Sequence, residues 1–285
     1  MIIRRAGSQP ADVFAATAWH HDINARIVAD HDFLLTPRQR SRRYPSRLLR
    51  YFIPFHWLGR EAARRGRPLR VCEIGIAHGL MLRYVVVFLL FTVASFLMLR
   101  YVLSGLEHLG IDPADVIDEW IGVDMKLLHD DLAKVPYDGL IEANFESEPE
   151  KIPGDCDAYV LLHVLEHLYE PERAIRQLVS RVPAGALLLV GFPSHLHAFI
   201  PLREPRLRAH TNSNGHVSAL SARRFNDAAR SNGCDVEEAR GAFFLRASGM
   251  FLEDQRWWQQ FNLAWGRLVP GWFGEVYIAQ PRRQI

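Results

Sequence analysis

The chain has 285 residues, 49% of them hydrophobic, which is enough to bury a large core as one α/β domain with an added cap. A net charge of +2 gives no global argument for nucleic acid, and three cysteines without a C-x-x-C pair argue against a disulfide or zinc-finger framework and for a reducing compartment. The start, Met1-Ile2-Ile3-Arg4-Arg5, leads into polar residues without a signal-peptide core, so a cytoplasmic location is expected.

Residues 11–35 read as a helix, with Val13, Phe14, Trp19, Ile23 and Ile27 at three- and four-residue spacing. Arg38, Arg40, Arg42, Arg43, Arg47 and Arg50 then crowd a short span before Tyr51-Phe52-Ile53-Pro54-Phe55. This reads either as a solvated basic cap or as a surface that meets phosphates or an anionic membrane. The expected division is an N-terminal helical cap over 1–66 and a main domain over 67–285, with an insertion around 84–119.

Strand one is 69–74. It ends in Glu73 and opens into Gly75-Ile76-Ala77-His78-Gly79, a turn of small residues before a helix. Such a turn lets backbone approach a nucleotide ligand, with free N–H groups of the helix beside it. Residues 84–99, Tyr84 to Leu99, carry no charge and are bracketed by Arg83 and Arg100. As a helix they would run about 24 Å, slightly short of a membrane span. A single crossing would also put strands one and two on opposite sides of a bilayer. The run is apolar all round, so its outer face needs cover. The cover is the chain itself, a second subunit in a homodimer, or the inner face of a membrane contacted peripherally through 84–103.

A short helical piece, 112–119, precedes strand two at 120–124, which ends in Asp124. Strand three is 139–143, leading to Asn144-Phe145. Strand four, 157–162, reads as fully buried and runs into His163-Val164-Leu165-Glu166-His167-Leu168. A helix begins near Pro171, and Pro183-Ala184-Gly185 turns the chain into strand five, 186–192. Residues 193–216 read as a long loop carrying His195, His197, His210 and His216; a loop this long is usually functional. Ser221 is a helix N-cap and Asn232-Gly233 a stop. Strands six and seven are 235–240 and 275–279. Between them, 253–268 is a helix whose Trp257, Phe261, Trp265 and Leu268 stripe is read as core. Strands alternating with helices give an α/β, doubly wound, Rossmann-like seven-stranded sheet, and ligands of such sheets bind at the strands' carboxyl ends.

Glu73-x-Gly75-x-Ala77-x-Gly79 resembles motif I of the class I S-adenosylmethionine (SAM) dependent methyltransferases. The strand-four run into Leu165-Glu166-His167-Leu168, followed by Pro183-Ala184-Gly185-Ala186-Leu187-Leu188-Leu189, is similar to the matching region of many small-molecule members. The nearest subgroup resembles the ubiquinone-biosynthesis O-methyltransferases and related enzymes acting on sugars or lipids. The resemblance implies SAM as cofactor, with Glu73, Gly75, Ala77 and Gly79 at its methionine end. Asp124 would take the ribose hydroxyls, Met125 the adenine face, and Asn144 and Phe145 the adenine edge. His163 would also border the cofactor. Ala77 stands where the middle Gly is usual, and Asn144 where Asp is frequent.

An oxygen nucleophile must lose a proton, and His163, His195, His197 and His216 are candidate bases, with His163 and His216 favoured. If a helix begins at His163, then His163 and His167 share a face beside Glu166, a set that suits a divalent metal. The resembling enzymes hold metal with Glu-x-x-Glu-His; here the first Glu is His163. The acceptor is expected to be a small molecule, and no nucleic acid is expected. A nicotinamide-dependent oxidoreductase and a non-catalytic SAM-binding regulatory or membrane-associated protein remain alternatives.

Overall fold

The computed structural model describes residues 45–76, 97–125, 127, 137–209, 215–241, 243–244, 252, 255–272 and 274–281. The helix expected over 11–35, the arginines before residue 45 and the apolar run over 84–96 lie outside them. Helix α1 spans Pro45–Arg65, β1 Leu69–Ile74, α2 Leu97–His108, β2 Ile117–Asp124 and β3 Gly139–Glu142. Then come β4 Ala158–Leu162, α3 Pro171–Arg181, β5 Leu187–Gly191 and α4 Ile200–Ala209. The chain closes with α5 Ala222–Ser231, β6 Cys234–Gly241, α6 Arg256–Leu268 and β7 Gly274–Pro281.

The strands order as β3-β2-β1-β4-β5-β7-β6. The first five are parallel, and β7 runs antiparallel to both β5 and β6. Strands buried on both faces read as continuous apolar runs, and each alternate side chain goes to an opposite core. Val71, Trp120, Ala158, Val160, Leu187 and Leu189 point to one side, where α1 and α2 supply Phe52, Phe55, Leu58, Met98, Leu99 and Val102. Cys72, Ile74, Ile121, Val123, Tyr159, Leu161, Leu188 and Val190 point to the other, where α3 and α5 supply Ile175, Leu178 and Phe225. Each such side chain contributes about 1.5–3 kcal/mol of burial before entropic costs.

Three expectations change. The piece over 112–119 is only a short turn of 3-10 helix, Pro113–Asp115, because Ile117 and Glu119 already pair with β1. The loop over 193–216 contains a 3-10 turn, His197–Phe199, and helix α4. Its periodicity was hidden because α4 buries none of its residues. Described residues of the apolar run, Met98, Leu99 and Val102, are buried within the chain. No helix of the described residues is long and apolar enough to cross a membrane.

The third change is in α6. Trp257 is 55% and Leu268 78% exposed, whereas Trp258, Gln259, Asn262 and Gly266 are buried. Gly266 decides the face. A Cβ there would lie 1.9 Å from the carbonyl oxygen of Gly241 on β6, so the bare side of the helix is drawn onto the strand. Asn262 tolerates burial because its amide donates to the Trp258 carbonyl at 2.7 Å and its oxygen accepts from the Phe244 N–H at 2.7 Å.

Candidate active site

Strand order reverses between β1 and β4, which places a crevice at their carboxyl ends. Gly75 follows β1 with φ +86°. A Cβ there would come within 2.4 Å of Val164, so the turns after β1 and β4 are pressed together at a position that only glycine fills without strain. Ala77 and Gly79 lie outside the described residues.

Glu73 is buried at the end of β1. It accepts hydrogen bonds from Trp120 Nε1 at 2.9 Å and the Tyr137 hydroxyl at 3.1 Å. Burial outweighs both bonds and pushes its carboxyl up to about 7. Asp124 ends β2 with its side chain buried, and Met125 beyond it is exposed. Asn144 caps its own turn, its side-chain oxygen accepting from the Glu146 N–H at 2.9 Å. Phe145 does not face the crevice rim as expected. Its ring lies in the core among Leu161, Leu165, Ile175 and Leu178.

His163 follows β4 in a left-handed conformation, φ +61°, with its N–H donating to Gly191 at 2.8 Å. No α-helix begins at His163; a short 3-10 turn, Leu165–His167, does the bending. That turn buries Glu166 and brings its Oε1 to 2.9 Å from His163 Nδ1. Burial alone would raise the Glu166 carboxyl, but the hydrogen bond from His163 and the nearby His167 and His216 rings bring it to about 2. An ionised carboxylate only accepts, so His163 Nδ1 donates and Nε2 carries the lone pair. His167 Nδ1 lies 3.2 Å from the Gly215 carbonyl, which likewise fixes its lone pair on Nε2.

The segment after β5 is sewn to this turn. The N–H groups of Val217 and Ser218 donate to the Glu166 carbonyl at 2.9 and 3.1 Å, and the Ser218 hydroxyl donates to Leu168 at 2.6 Å. His216 is thereby held 3.9 Å from Glu166 Oε1 and edge-on to His167, centroids 5.0 Å apart. Ligand-capable atoms of Glu166, His167 and His216 fall within 4.8 Å of one another. His163, expected in that set, instead bonds Oε1, the carboxylate oxygen that His216 also approaches. The His197 ring bonds the N-cap hydroxyl of Ser221 at 2.9 Å, and the backbone N–H of His195 donates to the Leu220 carbonyl at 2.7 Å.

A family model described as a methyltransferase domain matches residues 38–239. The chain belongs to this methyltransferase family. No curated protein matches it. Similar solved structures include the CurJ carbon methyltransferase, 14% identical with a TM-score of 0.43, covering 76% of this chain and 49% of that one. An O-methyltransferase from neocarzinostatin biosynthesis, in complex with S-adenosylmethionine, is 11% identical with a TM-score of 0.42, covering 74% and 48%. The chain therefore spans about half the length of these two. Magnesium protoporphyrin IX methyltransferase from Synechocystis PCC 6803, with bound SAH, is 13% identical with a TM-score of 0.46, covering 93% and 95%. The methyltransferase carries one site feature that no motif spacing announced, Trp120 and Tyr137 as the partners of Glu73, while His216, a favoured base in the sequence, stands against Glu166.

Proposed function

We propose that this methyltransferase transfers the methyl group of S-adenosylmethionine to an oxygen of a small-molecule, sugar or lipid-linked acceptor, in the manner of the ubiquinone-type O-methyltransferases it resembles. The observation that carries the reading is the His163–Glu166–His216 arrangement beside the Gly75 turn. The residues fit the cofactor: a left-handed glycine turn at the carboxyl end of β1, and a buried carboxylate, Asp124, at the end of the next strand. The bound cofactor supplies a methyl group already activated for displacement.

Asp124 accepts the ribose hydroxyls, and Glu73 and Gly75 border the methionine end, continued by Ala77 and Gly79. Met125 and Asn144 flank the adenine. His163 Nε2 takes the acceptor proton, while Glu166 orients the ring and stabilises the imidazolium that forms. His216 closes the acceptor side. Glu166, His167 and His216 also suit a divalent cation, since Glu166 Oε2 is buried with no hydrogen-bond partner and His167 already spends Nδ1 on a backbone carbonyl. Such a cation would polarise the acceptor oxygen. In this reading 1–66 caps a methyltransferase domain over 67–285, and the protein works in the cytoplasm.

Calorimetric titration of S-adenosylmethionine tests the assignment. Asp124→Ala removes a charged two-point contact and should weaken binding by about 1.5–3 kcal/mol. Equal affinities would sink the cofactor pose. His163→Ala and His216→Ala should lose turnover yet keep cofactor affinity. Full activity after exhaustive chelation would remove the cation and leave the hydrogen-bonding roles.

A further inference from the structure

Helix α6 lies on the sheet by an uncharged side: Trp258, Gln259, Asn262 and Gly266 are buried, and Leu263 packs on the core. The side turned away from the sheet carries an apolar stripe. Trp257 is 55%, Phe261 38% and Leu268 78% exposed, and Ala264 among them is exposed too. These four positions recur at spacings of four, three and four, so they run along one face over about 17 Å of helix. Past the helix end, Val269 and Trp272 are 37% and 46% exposed. Ring contacts make the patch continuous. Trp257 reaches Phe261 through Trp258, with centroids 5.7 and 5.3 Å apart. Phe261 lies 6.2 Å from Trp265, and Trp265 lies 6.2 Å from Trp272.

Monomeric proteins seldom leave more than a few hundred Å² of contiguous apolar surface in water. These exposed fractions amount to on the order of 500 Å² of apolar side chain on one copy. Doubled across a two-fold axis, that is about 1,000 Å², the lower bound of a specific interface. We infer that the chain pairs with a second copy of itself through α6, the two helices antiparallel about that axis. The stripe is self-complementary in this register. With the axis between Asn262 and Leu263, Trp257 meets the partner's Leu268, and Phe261 meets the partner's Ala264. A large side chain thus lies over a small one, and the two stripes mesh as in a coiled-coil seam. A parallel pair would instead stack Ala264 on its own copy, leaving a void between the flanking rings, and would set Arg267 against Arg267. The neighbouring edge strand β6 carries Asp235, Glu237, Glu238 and Arg240, which discourages pairing by sheet extension. A helix lying in a membrane keeps cations along its polar face; the polar face of α6, Gln259 and Asn262, has none and is packed on β6. An interface of this size gives a reversible dimer, in the micromolar range.

Sedimentation equilibrium of the full chain over about 1–100 μM tests the pairing. Wild type should pass from monomer to dimer across that range. Trp257→Glu and Leu268→Lys should each weaken association by roughly tenfold or more, because each puts a lone charge into the seam. An equimolar mixture of the two variants should recover to within about threefold of wild type. In the mixed pair the new carboxylate faces the new ammonium, and Trp257 of one copy faces Leu268 of the other. Both side chains are exposed in a single copy, so neither change should disturb the fold, and thermal melts check it. The inference is overturned if wild type stays monomeric throughout, or if both variants dimerise as wild type does. It is overturned too if the variants melt as wild type yet their mixture does not recover, since another register or surface then holds the dimer. Co-sedimentation with vesicles of phosphatidylcholine and phosphatidylglycerol decides the other occupant. A wild type that binds them as a monomer, with binding lost in Trp257→Glu, would assign the face to lipid and overturn the dimer.

Discussion

His163 holds a backbone conformation that costs a residue bearing a Cβ about 1–2 kcal/mol. The turn keeps it there because its N–H bonds Gly191 and its ring holds Glu166, and strain of this kind collects at functional sites. His163→Gly and His163→Ala both remove the ring, but only Gly relieves the strain. The Gly variant should therefore melt at higher free energy than the Ala variant by about 1 kcal/mol; equal stabilities would show that the site is unstrained. Glu73 gives a pH test. Its folded carboxyl stands at about 7, above its ordinary 4.5, so the folded chain keeps a proton that the unfolded chain releases. Stability then falls as pH rises from 4.5 to 7, by roughly 3 kcal/mol in all. Glu73→Gln should flatten that fall and be more stable than wild type at pH 8, as urea melts across pH would show; parallel profiles would refute it. Much of this was legible residue by residue: the acids and histidines at strand ends stood out because apolar runs stop at them. His163, Glu166 and His167 were legible as one cluster, with His216 a favoured base; how the rings meet the carboxylate was not, because one left-handed residue and a 3-10 turn, rather than a helix, decide it.

At the scale of elements, the parallel strands could be read from the sequence because burial on both faces leaves unbroken apolar runs such as 69–74 and 158–162. Helices were readable where one stripe is apolar and packed, as in α3 with Ala174, Ile175 and Leu178. They failed where the packed face is not the apolar one. Helix α4 half-buries only Ile200, Glu204 and Leu207 and so shows no packed apolar stripe, and α6 faces inward with Gly266 and Asn262 while its Trp257 and Phe261 remain outside. Periodicity measures hydrophobicity, and backbone closeness overrides it here. Gly266→Ala measures that override. Alanine in a helix interior normally gains about 1 kcal/mol over glycine. At Gly266 the new Cβ would strike the Gly241 carbonyl, which cannot swing aside as a side chain can. The substitution should destabilise by about 1–3 kcal/mol in urea melts; a gain would mean that α6 is not seated on β6 by this contact.

Across the whole molecule the two ends of the parallel strands do different work. The carboxyl ends carry strain, buried charge and an unpartnered carboxylate oxygen. The amino ends are tied by an ion network. Asp157 just before β4 accepts from Arg65 at 2.6 Å, from both Nη groups of Arg67 at 2.6 and 2.7 Å, and from the Arg70 N–H at 3.0 Å. Arg65 also reaches Glu61 at 2.7 Å and the Gly185 carbonyl at 2.9 Å, which fastens the end of α1 to the turn before β5. Burial alone would raise the Asp157 carboxyl; the hydrogen bonds from Arg67 and the Arg70 N–H, with the Arg65 and Arg67 charges, hold it below its usual value. Its contribution is therefore present above the ordinary carboxylate range and is lost as pH falls through the lowered value. From Asp157 to His163 is about 20 Å along an extended strand. A rigid sheet that separates fastening from chemistry should let one fail without the other. Asp157→Ala should cost about 2 kcal/mol of stability, read as a melting temperature lower by about 5 °C. Calorimetric affinity for S-adenosylmethionine should stay within twofold of wild type below the new melting range. Lost affinity with an unchanged melting temperature would show that the amino ends of the strands reach into the site, and the division of labour between the two ends would fall.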